Sequence, residues 1–169
     1  DFKHYFTAHD QVVYENPSPG NKEGGISTLE DKSLGCIQKG GEAIITDVIA
    51  YGERVTKRGL TLLSGPGNDI VSTTALTASG AHIILFTTGR GTPLGAPVPT
   101  IKIASNTPLA EKKANWIDFD GARLLREEGD AVLNDLIDLI KAIASGEKRA
   151  QNEINGYAEI SIFKDGVIL

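Results

Sequence analysis

Methionine is missing from the 169 residues and cysteine occurs once, at Cys36. A single thiol excludes an intrachain disulfide framework and fits a reducing compartment. Excess positive charge is also missing: the formal net charge is -5 and the pI about 5.2, so nothing recommends nucleic acid or an anionic membrane surface as partner. An anionic ligand must therefore be held by local positive charge. Long hydrophobic runs are lacking, since segments such as Ile83 to Phe86 are only strand-length, and no signal peptide is visible. Cytoplasm is the expected compartment. No CxxC, HxxxH or HExxH spacing marks a complete metal site, no GxGxxG or GxxxxGK[ST] marks a nucleotide, and no local triad signature is present. With no methionine and Asp1 first, the chain reads as a fragment of a longer protein.

What is present is an ordinary globular composition, 40% hydrophobic and 23% charged, enough for one sizeable core. The stretch from Asn16 to Gly41 departs from it, with six glycines, two prolines, three lysines, three acids and the cysteine. Ordinary connections run to about 4 to 6 residues, and longer ones are usually functional or disordered. This stretch is expected to be a polar, structureless loop forming part of a site. Residues 1–58 are read as loop-rich and 59–169 as an α/β unit, packed as one.

His9 to Tyr14 is a short strand candidate leading into the loop, and Ala43 to Ala50 an apolar run leaving it. Leu60 to Leu63 then reads as a strand, Ser64 to Asn68 as a turn, and Asp69 to Ser79 as a helix with Gly80 as its C-cap glycine. Ala81 to Thr87 and Thr100 to Ala104 read as buried strands separated by a second glycine loop. This order predicts a Rossmann-like, three-layer α/β unit with a mostly parallel sheet. Asp130 to Ser145 is an amphipathic helix stopped at Gly146, and the tail reads as strand (Tyr157 to Phe163), turn and strand (Val167 to Leu169).

Open parallel sheets bind ligands beyond the carboxyl ends of their strands, where SGPGND and TTGRGTP both fall, so the two loops are expected to face one crevice. Asn68 or Asp69 suits a helix cap that leaves backbone N–H groups for an anion; a plain Asx-capped turn is the alternative. Arg90, flanked by glycines, suits a bidentate grip on a carboxylate, or else is a solvated or ion-paired arginine. Lys22, Lys32 and Lys39 sit in the glycine-rich stretch of an acidic protein. Cys36 suits a metal ligand or nucleophile, or a small buried hydrophobe. His82 is expected to be packed inside a strand, and His9 is the better acid/base candidate.

The strings NPSPGNKEGGISTLEDKSLGCIQKGG, LLSGPGNDIVSTTAL, LFTTGRGTPLGAPVPTIKIASN, WIDFD and NGYAEISIFKDGVIL, in order, resemble the C-terminal part of the sugar-acid dehydratase family, which includes altronate and galactarate dehydratases and a sulfolactate sulfo-lyase. The resemblance implies a hydro-lyase that dehydrates D-altronate to 2-dehydro-3-deoxy-D-gluconate, with galactarate as the alternative substrate. It implies a divalent metal, Fe2+ or Mn2+, and a small N-terminal SAF-type domain absent here, so that the piece alone is expected to be inactive. A noncatalytic ligand-binding or oligomerisation module is the rival reading. Removing a proton next to a carboxylate needs a base and a cationic stabiliser of the enediolate. On this reading Lys39 is the first choice of base and His9 the second. Asn21, Lys22, Asn68, Thr88 and Arg90 bind carboxylate and polyol, and Glu30, Cys36 and Asp69 are the metal-ligand candidates. The expected partner is a small sugar acid, with a homo-oligomer as the expected assembly.

Overall fold

The computed structural model describes residues 2–11 and 17–163. Helix α1 spans Phe2–Ala8, α2 Pro19–Glu23 and α3 Leu29–Gln38; strands β1 (Ile45–Ile49) and β2 (Leu60–Leu63) follow. Helix α4 (Asp69–Ser79) precedes β3 (Ile84–Thr88) and β4 (Thr100–Ala104); α5 (Thr107–Lys112), β5 (Phe119–Asp120), α6 (Gly129–Ala144) and α7 (Gln151–Ile154) complete the order, with a 3-10 segment over Gly121–Leu125. Packing divides the chain into two units, which are described separately. The described residues of the first are 2–11, 17–47 and 57–62, and those of the second 48–56 and 63–163.

In the first unit, the stretch expected to be a structureless loop folds instead into α2 and α3. Pro19 opens α2 at a position where its missing N–H is no loss. Thr28 caps α3 by accepting from the Asp31 N–H at 3.1 Å, and Glu30 and Asp31 place negative charge on the first turn. The sequence T-x-x-D at 28–31 is the start signal for this helix, masked by Gly35, which costs about 1 kcal/mol inside a helix. No residue of α2 or α3 is buried. His9 and Asp10 form the turn that ends α1, not a strand; the rest of that strand candidate, residues 12–16, lies outside the described residues, as do 164–169 with the final turn and strand.

The second unit is built on a three-stranded sheet of order β3-β4-β5, parallel throughout, with Ile84 opposite Thr100, Thr88 opposite Ala104, and Ile103 opposite Phe119. Central β4 is buried on both faces, as expected of a parallel strand with helices above and below. Ile101 packs with Ile143 and Ala150, joined by Ile103, Leu139 and Ile140, so one face meets α6. Alternation sends Ala104 to the other face, where it packs with Leu109 of α5 and Ile117. This is the expected three-layer α/β arrangement. Helix α4 begins at its Asn68 cap and ends at Gly80 with φ 114°, in the left-handed region that glycine adopts freely.

Three expectations are revised. Strand β2 hydrogen-bonds to β1 in a separate two-stranded sheet, so α4 links two sheets and is not a crossover within one. Strand β3 begins at Ile84, leaving His82 exposed in the bend before it and not packed in a strand. Tyr157 to Phe163 forms no strand: its alternate amides, Glu159, Ser161 and Phe163, donate to Gly95 O, Thr74 Oγ1 and Tyr51 Oη at 2.7, 3.1 and 2.8 Å. The period of two is real, but side chains and a loop accept in place of a neighbouring strand.

Candidate active site

The parallel sheet ends in a polar rim. At the end of β3, Thr88 Oγ1 accepts from the Gly91 N–H at 2.9 Å, and Gly91, with φ 81°, turns the chain back. Asn106, after β4, donates from Nδ2 to Gly89 O at 2.9 Å. At the end of β5, Asp120 accepts from Thr107 Oγ1 at 2.8 Å and pairs with Arg126 at 2.9 Å. Burial pushes the Asp120 carboxyl up, but the hydrogen bonds from Thr107 and Arg126 outweigh it and hold the group below its ordinary value.

From that rim the chain returns to the start of β4 through 89–99, a parallel connection without a helix. Its middle, Thr92, Pro93 and Leu94, faces Asn68, Asp69 and Ile70 at the start of α4 across a cavity of about 350 Å³, with Glu159 completing the lining. Residues of both loops thus line one cavity, although the strands they follow, β2 and β3, belong to different sheets and not to the one parallel sheet expected. Of the sequence-derived binding residues, Asn68 and Asp69 line it. Thr88 and Arg90 do not; Arg90 is exposed at the rim between Gly89 and Gly91.

The chemistry of this cavity differs from the anion cradle expected at a helix N-terminus. Asn68 Oδ1 accepts from the N–H groups of Ile70 at 3.2 Å and Val71 at 3.4 Å, so those donors are already engaged. Asp69 adds a carboxylate at the positive end of α4, where an anionic side chain is favoured. Glu159 Oε2 accepts from the Gly95 N–H at 2.8 Å, and among the described residues its second oxygen has no such tie. Two carboxylates, a hydroxyl and an amide suit hydroxyl groups or a cation more than a bare anion.

Bonded to the lining residue Thr92 is Lys102, which the sequence reading passed over. It sits in the middle of β4 with 0% of its surface exposed, and its Nζ donates to Thr92 O at 2.9 Å. Burial lowers its pKa; Asp118 and Glu159 act against that shift by stabilising the ammonium. Asp118 accepts from the N–H of Lys102 at 2.7 Å and of Gln151 at 2.8 Å, and burial raises its carboxyl despite both bonds. A lysine inside the apolar run TIKIA was the available signal, since lysine is almost never fully buried without partners. Thr92 and Glu159 carried no comparable signal.

The other sequence-derived candidates lie in the first unit. Asn21 Oδ1 accepts from the N–H and Oγ of Ser18, capping α2, while Lys22 is exposed in the last turn of the same helix. Glu30 and Cys36 are both exposed on α3, six positions apart, which at about 3.6 residues per turn sets them about 120° apart around the axis. Lys39 is the C-cap of α3, and His9 lies in the turn after α1. Among the described residues, no three His, Cys, Asp or Glu side chains gather as a metal centre.

Residues 1–168 match the family model described as D-galactarate/altronate dehydratase, C-terminal. The whole chain is 57% identical to the altronate dehydratase of Escherichia coli strain K12 and 56% identical to that of Bacillus subtilis strain 168, covering 34% of each. It is 38% identical to the L-threo-forming galactarate dehydratase of Escherichia coli strain K12, over 88% of this chain and 29% of that protein. The chain spans about a third of the length of the curated relatives it matches. Long in-order strings, a parallel three-layer sheet and these identities converge: the chain belongs to the D-galactarate/altronate dehydratase family and corresponds to its C-terminal region.

Proposed function

We infer that this chain forms part of a metal-dependent hydro-lyase that dehydrates D-altronate to 2-dehydro-3-deoxy-D-gluconate. The observation carrying the reading is identity of 56 to 57% across the full chain to two altronate dehydratases, against 38% to the galactarate enzyme. A base takes the proton from the carbon bearing the carboxylate, hydroxide leaves the next carbon and is protonated to water, and the resulting enol becomes the 2-keto acid. Lys39 is the proposed base, with His9 second. Arg90 and Lys22 hold the carboxylate, and Asn21, Asn68 and Thr88 meet the polyol. The acidic cavity lined by Asn68, Asp69 and Glu159 supports the Asn68 part of this assignment, because hydroxyl groups donate to carboxylates without charge repulsion.

The reading includes a divalent metal, Fe2+ or Mn2+, which when bound stabilises the negative charge that develops on the carboxylate. Glu30, Cys36 and Asp69 are its proposed ligands. Neither unit alone assembles them: two stand on different sides of α3, and Asp69 belongs to the second unit. The donors of a single unit therefore do not fit a complete centre. A cytoplasmic, homo-oligomeric enzyme acting on a small sugar acid completes the reading; no described helix is long and apolar enough to cross a membrane. The test is the full-length protein with ferrous or manganous ion and D-altronate. A 2-keto-3-deoxy acid is the expected product, with slower turnover of galactarate; absence of product with either ion overturns the reading.

A further inference from the structure

The connection from β3 to β4 has no helix to define it, so its shape depends on individual hydrogen bonds. Two are local to the loop: Gly91 N–H to Thr88 Oγ1 at 2.9 Å and Leu94 N–H to Thr92 Oγ1 at 3.3 Å. Two come from elsewhere in the unit: Lys102 Nζ to Thr92 O at 2.9 Å, and Gly95 N–H to Glu159 Oε2 at 2.8 Å. A partly buried carbonyl in irregular backbone needs a donor, and Lys102 of β4 supplies it to Thr92. A buried ammonium is an expensive way to fill β4, where an apolar side chain of similar size often leaves stability equal or better. The charge is aimed at the wall of the cavity.

We propose that Lys102 is a positioning residue of the site: from the buried face of β4 its ammonium holds the Thr92 carbonyl and thereby fixes the Thr92–Leu94 wall against which ligand binds. Positioning of the wall stands on the geometry alone; its consequence for ligand rests on the dehydratase reading. Lys102 touches no substrate in this scheme. Its loss acts through the wall, weakening substrate binding more than the chemical step.

The experiment compares full-length wild type with Lys102→Met by amide hydrogen exchange and steady-state kinetics. In the variant, the Leu94 and Gly95 amides are expected to exchange about ten-fold faster or more, since a hydrogen bond to a charged group has been removed, while α6 amides stay unchanged. With D-altronate and manganous ion, KM is expected to rise about ten-fold with kcat within about three-fold, the pattern of lost uniform binding. Unchanged exchange at Leu94 and Gly95 in folded variant overturns the proposal. Faster exchange with unchanged KM overturns its link to the site. If wild type fails to dehydrate altronate, the dehydratase reading falls while exchange still decides the positioning. Should the variant not fold, wild type alone remains decisive: Leu94 and Gly95 exchanging at the rate of an unstructured peptide sinks the idea.

Discussion

No residue of α2 or α3 is buried, whereas in β4 only Ile103 keeps partial access to solvent. Both segments carry polar side chains, and the difference lies in what replaces water. In α3, Leu34 and Ile37 are 57% and 70% exposed, and the polar groups solvate a surface. In β4 both polar side chains have protein partners: Thr100 N–H donates to Asn152 Oδ1, Thr100 Oγ1 donates to Val98 O and accepts from the Ala96 N–H, and Lys102 donates from Nζ to Thr92 O and from its backbone N–H to Asp118. Composition draws attention to the first segment. Determinacy of shape comes from the second, because a buried polar group left without its partner costs about 1 to 3 kcal/mol.

The sharpest test of that contrast is Gly95→Ala. A Cβ there would overlap the Tyr157 carbonyl and sit 2.7 Å from Asn152 Cβ, so backbone on two segments must move. The expected loss is about 3 kcal/mol, at the upper end for overpacking, read as a fall in the urea midpoint. An equally small change at exposed Gly35, where an added Cβ meets nothing within 4 Å, should stabilise α3 by up to about 1 kcal/mol. If Gly95→Ala is as harmless, the tight packing around the 95–99 turn is wrong.

Next in size is Asn152→Ala. This side chain is 2% exposed, accepts from Thr100 N–H at 2.8 Å and donates to Tyr157 O at 3.1 Å. Its removal leaves a buried donor and acceptor unmatched, for an expected loss of about 2 to 3 kcal/mol in the same measurement. Asp118→Asn should cost less, about 1 to 2 kcal/mol, because its amide oxygen still accepts one of the two N–H groups now held at 2.7 and 2.8 Å.

What the sequence made legible follows the same line. The helix 69–79 with its Asn68 cap and Gly80 stop, the strand 60–63 and the strand 100–104 were readable residue by residue, because caps, glycine and apolar runs are local signals. The amphipathic helix was readable to within a residue, from the spacing of Val132, Leu136 and Ile143. Pairing was not: nothing in Leu60 to Leu63 says that its partner is β1 and not β3. At the site, SGPGND and TTGRGTP were readable as neighbours of one cavity, whereas Glu159 reaches it from 64 positions beyond Gly95, a separation no local pattern encodes. Short α3 was hidden by Gly35 and by a composition that reads as loop.

The smallest and most particular effect is the pH dependence of Lys102. Burial lowers its pKa from the ordinary 10.5, so in alkaline solution the folded chain releases this proton before the unfolded chain does. Unfolding then takes up a proton, and stability rises with pH from the depressed value toward 10.5, flattening above it. Asp118 and Glu159 oppose the shift and narrow this window without reversing its sign. The comparison made on α3 is Gly35→Ala, which changes no titratable group and should leave the pH profile in place. Denaturation midpoints followed across the alkaline range in wild type, Gly35→Ala and Lys102→Met separate the two regions. The rise should persist in the first two and vanish in the third. A rise that survives Lys102→Met assigns it to another group and removes the buried charge from the account of β4.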